Sequence, residues 1–301
     1  MKIYNNCIVL VCNEAFLPHA LYLAHKVSRL KKNNYDVIIC SGEDLSDKIP
    51  KEINFVHIDT EEFTENLPTI PRLQQFTYWR IPAINALTNH YSKILYLDVD
   101  IFVDCFDISD IFHIDLKNHI IGAVRDVHQI VRPTRTPREF KGLGLDGGSY
   151  FNAGLLLINS NLWRENNAYE KIISISKIHR ERLYCHDQSL LNLLVKGQWI
   201  ELSPVWNWQY SKRNSFITHL VAPKLIHFSG HSKFWNYSDE QIPTRFRENH
   251  HNFFNDSTPV DFPLSKINKK TYVGLLKNIW YLRKYHAYVS RFKTHLSVVA
   301  H

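Results

Sequence analysis

The stretch that decides the reading is KILYLDVDIFVDCFDISDIF, Lys93–Phe112. An apolar run, Ile94 to Leu97, meets two carboxylates, Asp98 and Asp100, and the apolar character resumes with Ile101, Phe102 and Val103. Burying a carboxylate without a partner is costly. In an extended strand, residues two apart project to one face. The spacing therefore predicts that Asp98 and Asp100 share a face and that Val99 points away. In open α/β sheets ligands sit beyond the carboxyl ends of strands. Two hard oxygens there suit Mg²⁺ or Mn²⁺, which share carboxylates with substrate phosphates. By itself the pair also fits a cap next to a solvated side chain.

Upstream, short β-rich runs alternate with helical patterns. CIVLVC is a strand. LPHALYLAHKVSRLKKN places Leu17, Leu21 and Ala24 on one helical face. YDVIICSGE and NFVHIDT are two further strands. QFTYWRIPAINALTNH is a helix with Pro82 in its first turn, where proline is tolerated. SKILYLDVDIF follows as a fourth buried strand. This alternation implies βαβ units, hence an α/β fold with a mostly parallel sheet flanked by helices.

Downstream, NHIIGAVRD is a strand ending at Arg125 and Asp126. A long loop to Tyr150 then carries two prolines, four glycines and the cations Arg125, Arg132, Arg135, Arg138 and Lys141. Loops this long are functional or disordered. FNAG, Asn152–Gly154, opens an apolar strand with an amide and a glycine, which permits close backbone approach. HDQ, His186–Gln188, starts a helix ended by Gly197, and Asp187 there complements the helix dipole. LIHFSGHSKFW ends a strand in His227, Gly230 and Lys233, where a lysine beside a glycine can meet phosphate.

The chain has 301 residues and a net charge of +7 from 36 basic and 29 acidic residues. Lys266, Lys269, Lys270, Lys277, Arg283, Lys284, Arg291 and Lys293 crowd the last 38 positions, which contain no acid. The body is near neutral, so the basic character belongs to the tail. Five scattered cysteines with no Cys-x-x-Cys pair argue against a disulfide framework or zinc site and read as buried hydrophobes. The apolar run at the N-terminus is too short for a signal peptide, and no window is long enough to span a bilayer. The expectation is a cytoplasmic protein.

CNEAF, YLDVDIFV, IGAVRD, YFNAGLLLINSNLW, HDQSLLNLLVKG and LIHFSGHSKFW occur in that order from Cys7 to Trp235. In order and spacing this set resembles glycosyltransferase family eight, which includes bacterial lipopolysaccharide galactosyl- and glucosyltransferases and glycogenins. The resemblance implies a GT-A nucleotide-diphosphosugar transferase fold, a UDP-sugar donor, usually Mn²⁺, and transfer with retention. It implies that Asp98, Asp100 and His227 are metal ligands, with Val99 between the pair. It implies that Gly230 and Lys233 hold the diphosphate, that Asn13 contacts uracil and that Arg80 lies near the donor. Asp126, Asn152, Ala153, Gly154, Asp187 and Gln188 would form the sugar pocket. Asp126, Asp187 and Gln188 would be nearest the chemistry, with Gln188 facing the anomeric carbon.

Two features concern the acceptor and its setting. The basic loop would close over an anionic saccharide, and Trp206 and Trp208 would offer stacking faces. The tail, residues 264–301, reads as a basic aromatic helix that reaches the inner face of the cytoplasmic membrane, apart from a catalytic domain at 1–263. Nucleic-acid binding has no support in the body. The expected activity is hexose transfer from a UDP-sugar to a lipid-linked or lipopolysaccharide-type glycan. The alternatives are a glycogenin-like self-glycosylating primer and a non-catalytic nucleotide-sugar-binding protein.

Overall fold

The computed structural model describes residues 4–30, 34–64, 67–68, 75–105, 107–145, 148–211, 214–240, 242–255 and 272–301. The first half alternates as the apolar runs require: β1 (Asn6–Val11), α1 (Leu17–Ser28), β2 (Asp36–Ser41), β3 (Asn54–His57), α2 (Glu61–Thr64), α3 (Arg80–Leu87) and β4 (Lys93–Leu97). β5 (Ile101–Val103), β6 (Ile121–Arg125), α4 (Val127–Val131), β7 (Phe151–Asn159), α5 (Ser160–Glu165), α6 (Ala168–Ile178) and α7 (His186–Val195) follow. The chain ends with β8 (Ile200–Leu202), β9 (Trp208–Gln209), α8 (Ser215–Val221), β10 (Leu225–His227), α9 (Thr244–Phe254), α10 (Tyr272–Val289) and β11 (Val298–Ala300).

The main sheet has the order β11-β8-β6-β7-β4-β1-β2-β3. β3, β2, β1 and β4 run parallel, and β6 and β8 share their direction. β7 and the edge strand β11 run against them. Its two faces carry separate apolar cores. One lies under α3, α6 and α7, and the other under α1 and the turn after β5. Chain order reverses between β1 and β4, which makes their carboxyl ends the switch point where a ligand crevice forms.

The deciding stretch differs from its expected form. It is not one strand. β4 stops at Leu97, and a turn closed by Ile101 N–H donating to Asp98 O (3.1 Å) redirects the chain. The apolar residues 101–103 then enter a second, three-stranded sheet, β5-β10-β9. Asp98 and Asp100 converge through this turn rather than through strand alternation. The small sheet has a consequence for the site. β10 pairs antiparallel with β5, matching His227 to Ile101, and Phe228 N–H donates to Asp100 O (3.1 Å). A residue far away in sequence is thereby set beside the aspartates.

The long loop is partly ordered. Asp126 caps α4, and a 3-10 turn at Arg138–Phe140 sinks Glu139 and Phe140 into the body. Arg125 is not available to an acceptor. It is buried in a bidentate pair with the fully buried Glu201 of β8, at 2.7 and 2.8 Å. Arg291 (3.0 Å) and His301 (2.7 Å) reach the same carboxylate. Burial would raise that carboxyl, but its hydrogen bonds from Arg125 and His301 outweigh burial and lower it to about 2.

Trp206 and Trp208 also depart from the acceptor role. Both are buried, and their indole N–H groups donate to His295 O and Thr218 Oγ1, each at 2.7 Å. Neither offers a face to a sugar. Of the cysteines, Cys7, Cys12 and Cys40 are buried as expected, whereas Cys105 is half-buried and Cys185 exposed.

In the tail, Lys266, Lys269, Lys270 and the 263/264 boundary lie outside the described residues, as does the side chain of Lys277. Tyr285, Tyr288 and Phe292 pack into a third core with Trp208, Phe228 and Phe246, and β11 extends the main sheet. Ile279 and Trp280 remain exposed. Among the described residues no helix is long and apolar enough to cross a membrane.

Candidate active site

The sequence-derived candidates gather at one edge of the main sheet. Asn13 follows β1, Asp98 follows β4, and Asp126 follows β6. The reversed strand β7 brings Asn152, Ala153 and Gly154 to the same edge at its start. Between β6 and β7 the register jumps, from Ala123 opposite Leu156 to Val124 opposite Asn152. Ala153 and Gly154 therefore fall outside the β6 ladder, and bulges of this kind re-aim groups beside active sites.

Asp98, Asp100 and His227 each present one ligand atom, all within 4.8 Å of one another. His227 Nε2 lies 3.6 Å from Asp98 Oδ2 and 3.1 Å from Asp100 Oδ1. Asp100 Oδ1 is buried and has no hydrogen-bond partner. An orphaned carboxylate oxygen facing an imidazole nitrogen and a second carboxylate is a donor set that a divalent cation completes. The residues present thus fit the expected metal. The Lys233 ammonium contacts Asp100 Oδ2 and donates to Phe228 O (2.8 Å). Burial would raise the Asp100 carboxyl, but the Lys233 ammonium outweighs burial and holds it well below the usual carboxylate range.

Gly154 explains how His227 comes so close. A Cβ at this position would lie 2.1 Å from His227 Cε1 and 2.5 Å from Nδ1. The ring occupies the space that any other residue would fill. The side chains of Ala153 and Val99 are likewise packed in the cores, so these residues can face a ligand only through their backbone.

Arg80 ties the Asp98 corner to Asp187 at the start of α7. Its guanidinium meets Asp98 (3.0 Å) and Asp187 (2.9 Å), donates to Ala153 O (2.7 Å) and lies over the Tyr96 ring at 4.5 Å. Burial would lower the Arg80 pKa, but Asp187 and Asp98 raise it instead, so it stays charged. Burial pushes the Asp187 carboxyl up to about 6 against the pull of Arg80. The preceding residue, His186, has φ 49° and stacks on Tyr78 at 4.9 Å. Such left-handed backbone costs on the order of 1–3 kcal/mol and concentrates at functional sites.

Gln188 is held on both sides. Its Oε1 accepts from Ala153 N–H (3.0 Å) and Asn152 Nδ2 (3.2 Å), and its Nε2 donates to Asp126 Oδ2 (3.5 Å). Asn13 uses its oxygen to cap the turn that follows, accepting from Phe16 N–H (3.2 Å). Gly230 has φ 99°, a conformation that favours glycine, in the loop carrying Lys233. That loop is anchored by Trp235 stacked on His19 at 3.8 Å, with His19 bonded to His250.

Two polar residues of the site escaped the sequence reading. Tyr96 Oη donates to Asp98 Oδ1 (2.6 Å) from two residues upstream on β4, a spacing that was available as a signal. Asn207 sits between the two buried tryptophans and reaches Asn152 and His227.

An Asp-x-Asp turn, a histidine and a lysine-bearing loop thus meet at the carboxyl edge of an α/β sheet, the architecture of a group-transfer enzyme. The family model described as Glycosyl transferase family 8 matches residues 7–239, and the chain belongs to that family. Among relatives, General stress protein A of Bacillus subtilis is 29% identical over 67% of this chain and 73% of its own length. Lipopolysaccharide 1,2-glucosyltransferase of Escherichia coli is 28% identical, covering 58% of this chain and 54%, about half, of the relative. The galactosyltransferase LgtC, solved with donor and acceptor sugar analogs, superposes with a TM-score of 0.67 at 20% identity, covering 90% of this chain and 100% of that one. The fold is GT-A, and the protein is a glycosyltransferase.

Proposed function

We propose that this glycosyltransferase moves a hexose from a UDP-sugar to a saccharide acceptor with retention of anomeric configuration, with Mn²⁺ or Mg²⁺ held by Asp98, Asp100 and His227. The observation that carries the reading is the orphaned Asp100 Oδ1 facing His227 Nε2 beside Lys233. When bound, the ion would neutralise charge gathering on the departing diphosphate. Lys233 adds a fixed cation at the same place. Arg80 holds Asp98 and Asp187 in one geometry, and Asp187, Asn152 and Asp126 orient sugar hydroxyls. Asn13 is the candidate contact to uracil and Gly230 to the diphosphate.

Among the described residues of the site, no carboxylate is free to act as a nucleophile. Asp187 is engaged by Arg80, and Asp126 caps α4 by accepting from His128 N–H (2.8 Å). The group beside them is the Gln188 amide, whose oxygen already accepts two hydrogen bonds. A covalent glycosyl-enzyme, as retaining glycosidases use, is therefore disfavoured. The reading is same-face displacement: the C1–O bond to UDP breaks, the acceptor hydroxyl bonds to C1, and its proton passes to the leaving phosphate oxygen.

The acceptor is read as anionic. Arg132, Arg135, Arg138 and Lys141 are exposed on the loop beside the pocket, and the loop's Gly142 and Gly144 (φ 72° and 70°) serve as hinges for closure. The lipopolysaccharide enzyme among the relatives favours a cell-envelope glycan. Exposed Ile279 and Trp280 beside Arg283 and Lys284 support contact with the inner face of the cytoplasmic membrane. Calorimetric titration with UDP-glucose, UDP-galactose and UDP-N-acetylglucosamine, with and without Mn²⁺, tests the donor class. The proposal predicts metal-dependent binding of one of them, and fails if none binds. Flotation with anionic liposomes should be lost in Ile279→Ser/Trp280→Ser; unchanged flotation removes the membrane reading.

A further inference from the structure

We infer that Asn207 is a positioning residue that, with Asn152, fixes a hydrogen on His227 Nδ1, so that Nε2 is the ring nitrogen left for the proposed metal corner. The inference rests on the proposed metal role of Asp98, Asp100 and His227, and it follows from two backbone N–H groups, which can only donate. Ala153 N–H donates to one terminal atom of Gln188, so that atom is the oxygen. Gly154 N–H donates to one terminal atom of Asn152 (3.0 Å), so that atom is also the oxygen, and the Asn152 amide turns its NH₂ to Gln188 Oε1.

Asn207 meets this same Asn152 oxygen at 2.9 Å, and an oxygen cannot donate. Asn207 therefore presents its NH₂ to Asn152 and its own oxygen to His227 Nδ1, 3.0 Å away. The Asn152 oxygen lies 3.1 Å from the same Nδ1. A ring nitrogen between two acceptor oxygens carries the hydrogen. Nε2 is then the nitrogen that faces the carboxylates. Asn207 and His227 are both buried, so water does not supply the alternative partner. Outer groups of this kind hold metal-ligating histidines in one tautomer and ring orientation, and their loss typically weakens metal binding about 10–100-fold.

The test compares the full-length protein with Asn207→Leu and Asn207→Asp, titrating Mn²⁺ by electron paramagnetic resonance. Aspartate keeps an acceptor for His227 Nδ1–H but cannot donate to Asn152. Leucine keeps neither, and leaves Nδ1–H only the longer contact to the Asn152 oxygen (3.1 Å). The inference predicts roughly 10–100-fold weaker Mn²⁺ binding for Asn207→Leu and equal or tighter binding for Asn207→Asp. A merely structural role, through the Asn207–Asn152 bond, would weaken both variants alike and overturn it, as would wild-type affinity in Asn207→Leu. Nitrogen-15 NMR of the metal-free wild type and Asn207→Asp gives a second reading that does not need the leucine variant to fold. The His227 signal, assigned by its loss in His227→Gln, should show a protonated Nδ1, whatever the state of Nε2, and an Nδ1 without its hydrogen contradicts the inference. If the wild type binds no divalent ion, the metal reading itself fails, which is a different outcome from wild-type binding that survives Asn207→Leu.

Discussion

Gly154→Ala isolates the steric logic of the proposed metal corner. The backbone of Gly154 is not in the left-handed region, and it lies within a strand, where alanine is accepted without torsional cost. The added Cβ would stand 2.1 Å from His227 Cε1, whereas ordinary contact begins at 3.4 Å. The ring has to withdraw by about 1.3 Å, while metal–ligand distances tolerate only about ±0.2 Å. His227 cannot make that move freely, because β10 is paired on both sides and Asn207 holds Nδ1. Mn²⁺ affinity should fall by at least ~10–100-fold. Crowding of the packed interior should cost about 1–3 kcal/mol of stability. Electron paramagnetic resonance titration reads the first effect and urea unfolding the second. Mn²⁺ affinity within about threefold of wild type, a difference below 1 kcal/mol, would refute the claim that His227 is a ligand held against Gly154.

Other consequences follow from the buried charges. Glu201→Gln strips Arg125 of its buried counter-charge and should cost about 3–5 kcal/mol in urea unfolding at pH 7; a loss below about 1 kcal/mol would mean the pair is not buried as described. The Glu201 carboxyl is lowered from 4.5 to about 2 in the fold, so its contribution is present above pH 4.5 and is lost as pH falls toward 2, roughly 3 kcal/mol in all. Asp187 has the opposite sign. Its carboxyl is raised from 3.8 to about 6, so the stability term is full below pH 3.8 and is lost as pH rises through 6. Relative to Asp187→Asn, wild type should therefore lose on the order of 3 kcal/mol between pH 4 and pH 7.5; a pH-independent gap between the two contradicts the raised carboxyl.

The sheet was legible because its strands are apolar runs separated by helical patterns, and that contrast is local. The Asp-x-Asp corner was legible in its outcome and not in its cause. Ile101–Val103 reads as a continuation of the strand before it, since apolar residues look alike whichever sheet they enter. Only the turn at Asp98–Ile101, and the pairing of β5 with β10, reveal two sheets. His227 has no local mark as a ligand. The order of motifs along the chain pointed to it, and Gly154 supplies the physical reason it fits. The tryptophans at 206 and 208 misled, because an aromatic side chain serves a core and a sugar equally well. The informative residue was the polar one between them, Asn207. Glu201 was hidden in the same way, as a charge inside WIEL whose partners come from two distant parts of the chain, Arg125 at the end of β6 and Arg291 and His301 in the tail.

The measurement that bears most directly on the account is proton NMR of the first-formed product from a UDP-α-hexose and a phosphorylated saccharide acceptor, with Mn²⁺ and then with a chelator. The account predicts an α-linked product, formed only with the divalent ion, and loss of transfer in Asp100→Asn. A β-linked product, or transfer that survives both chelation and Asp100→Asn, would contradict it.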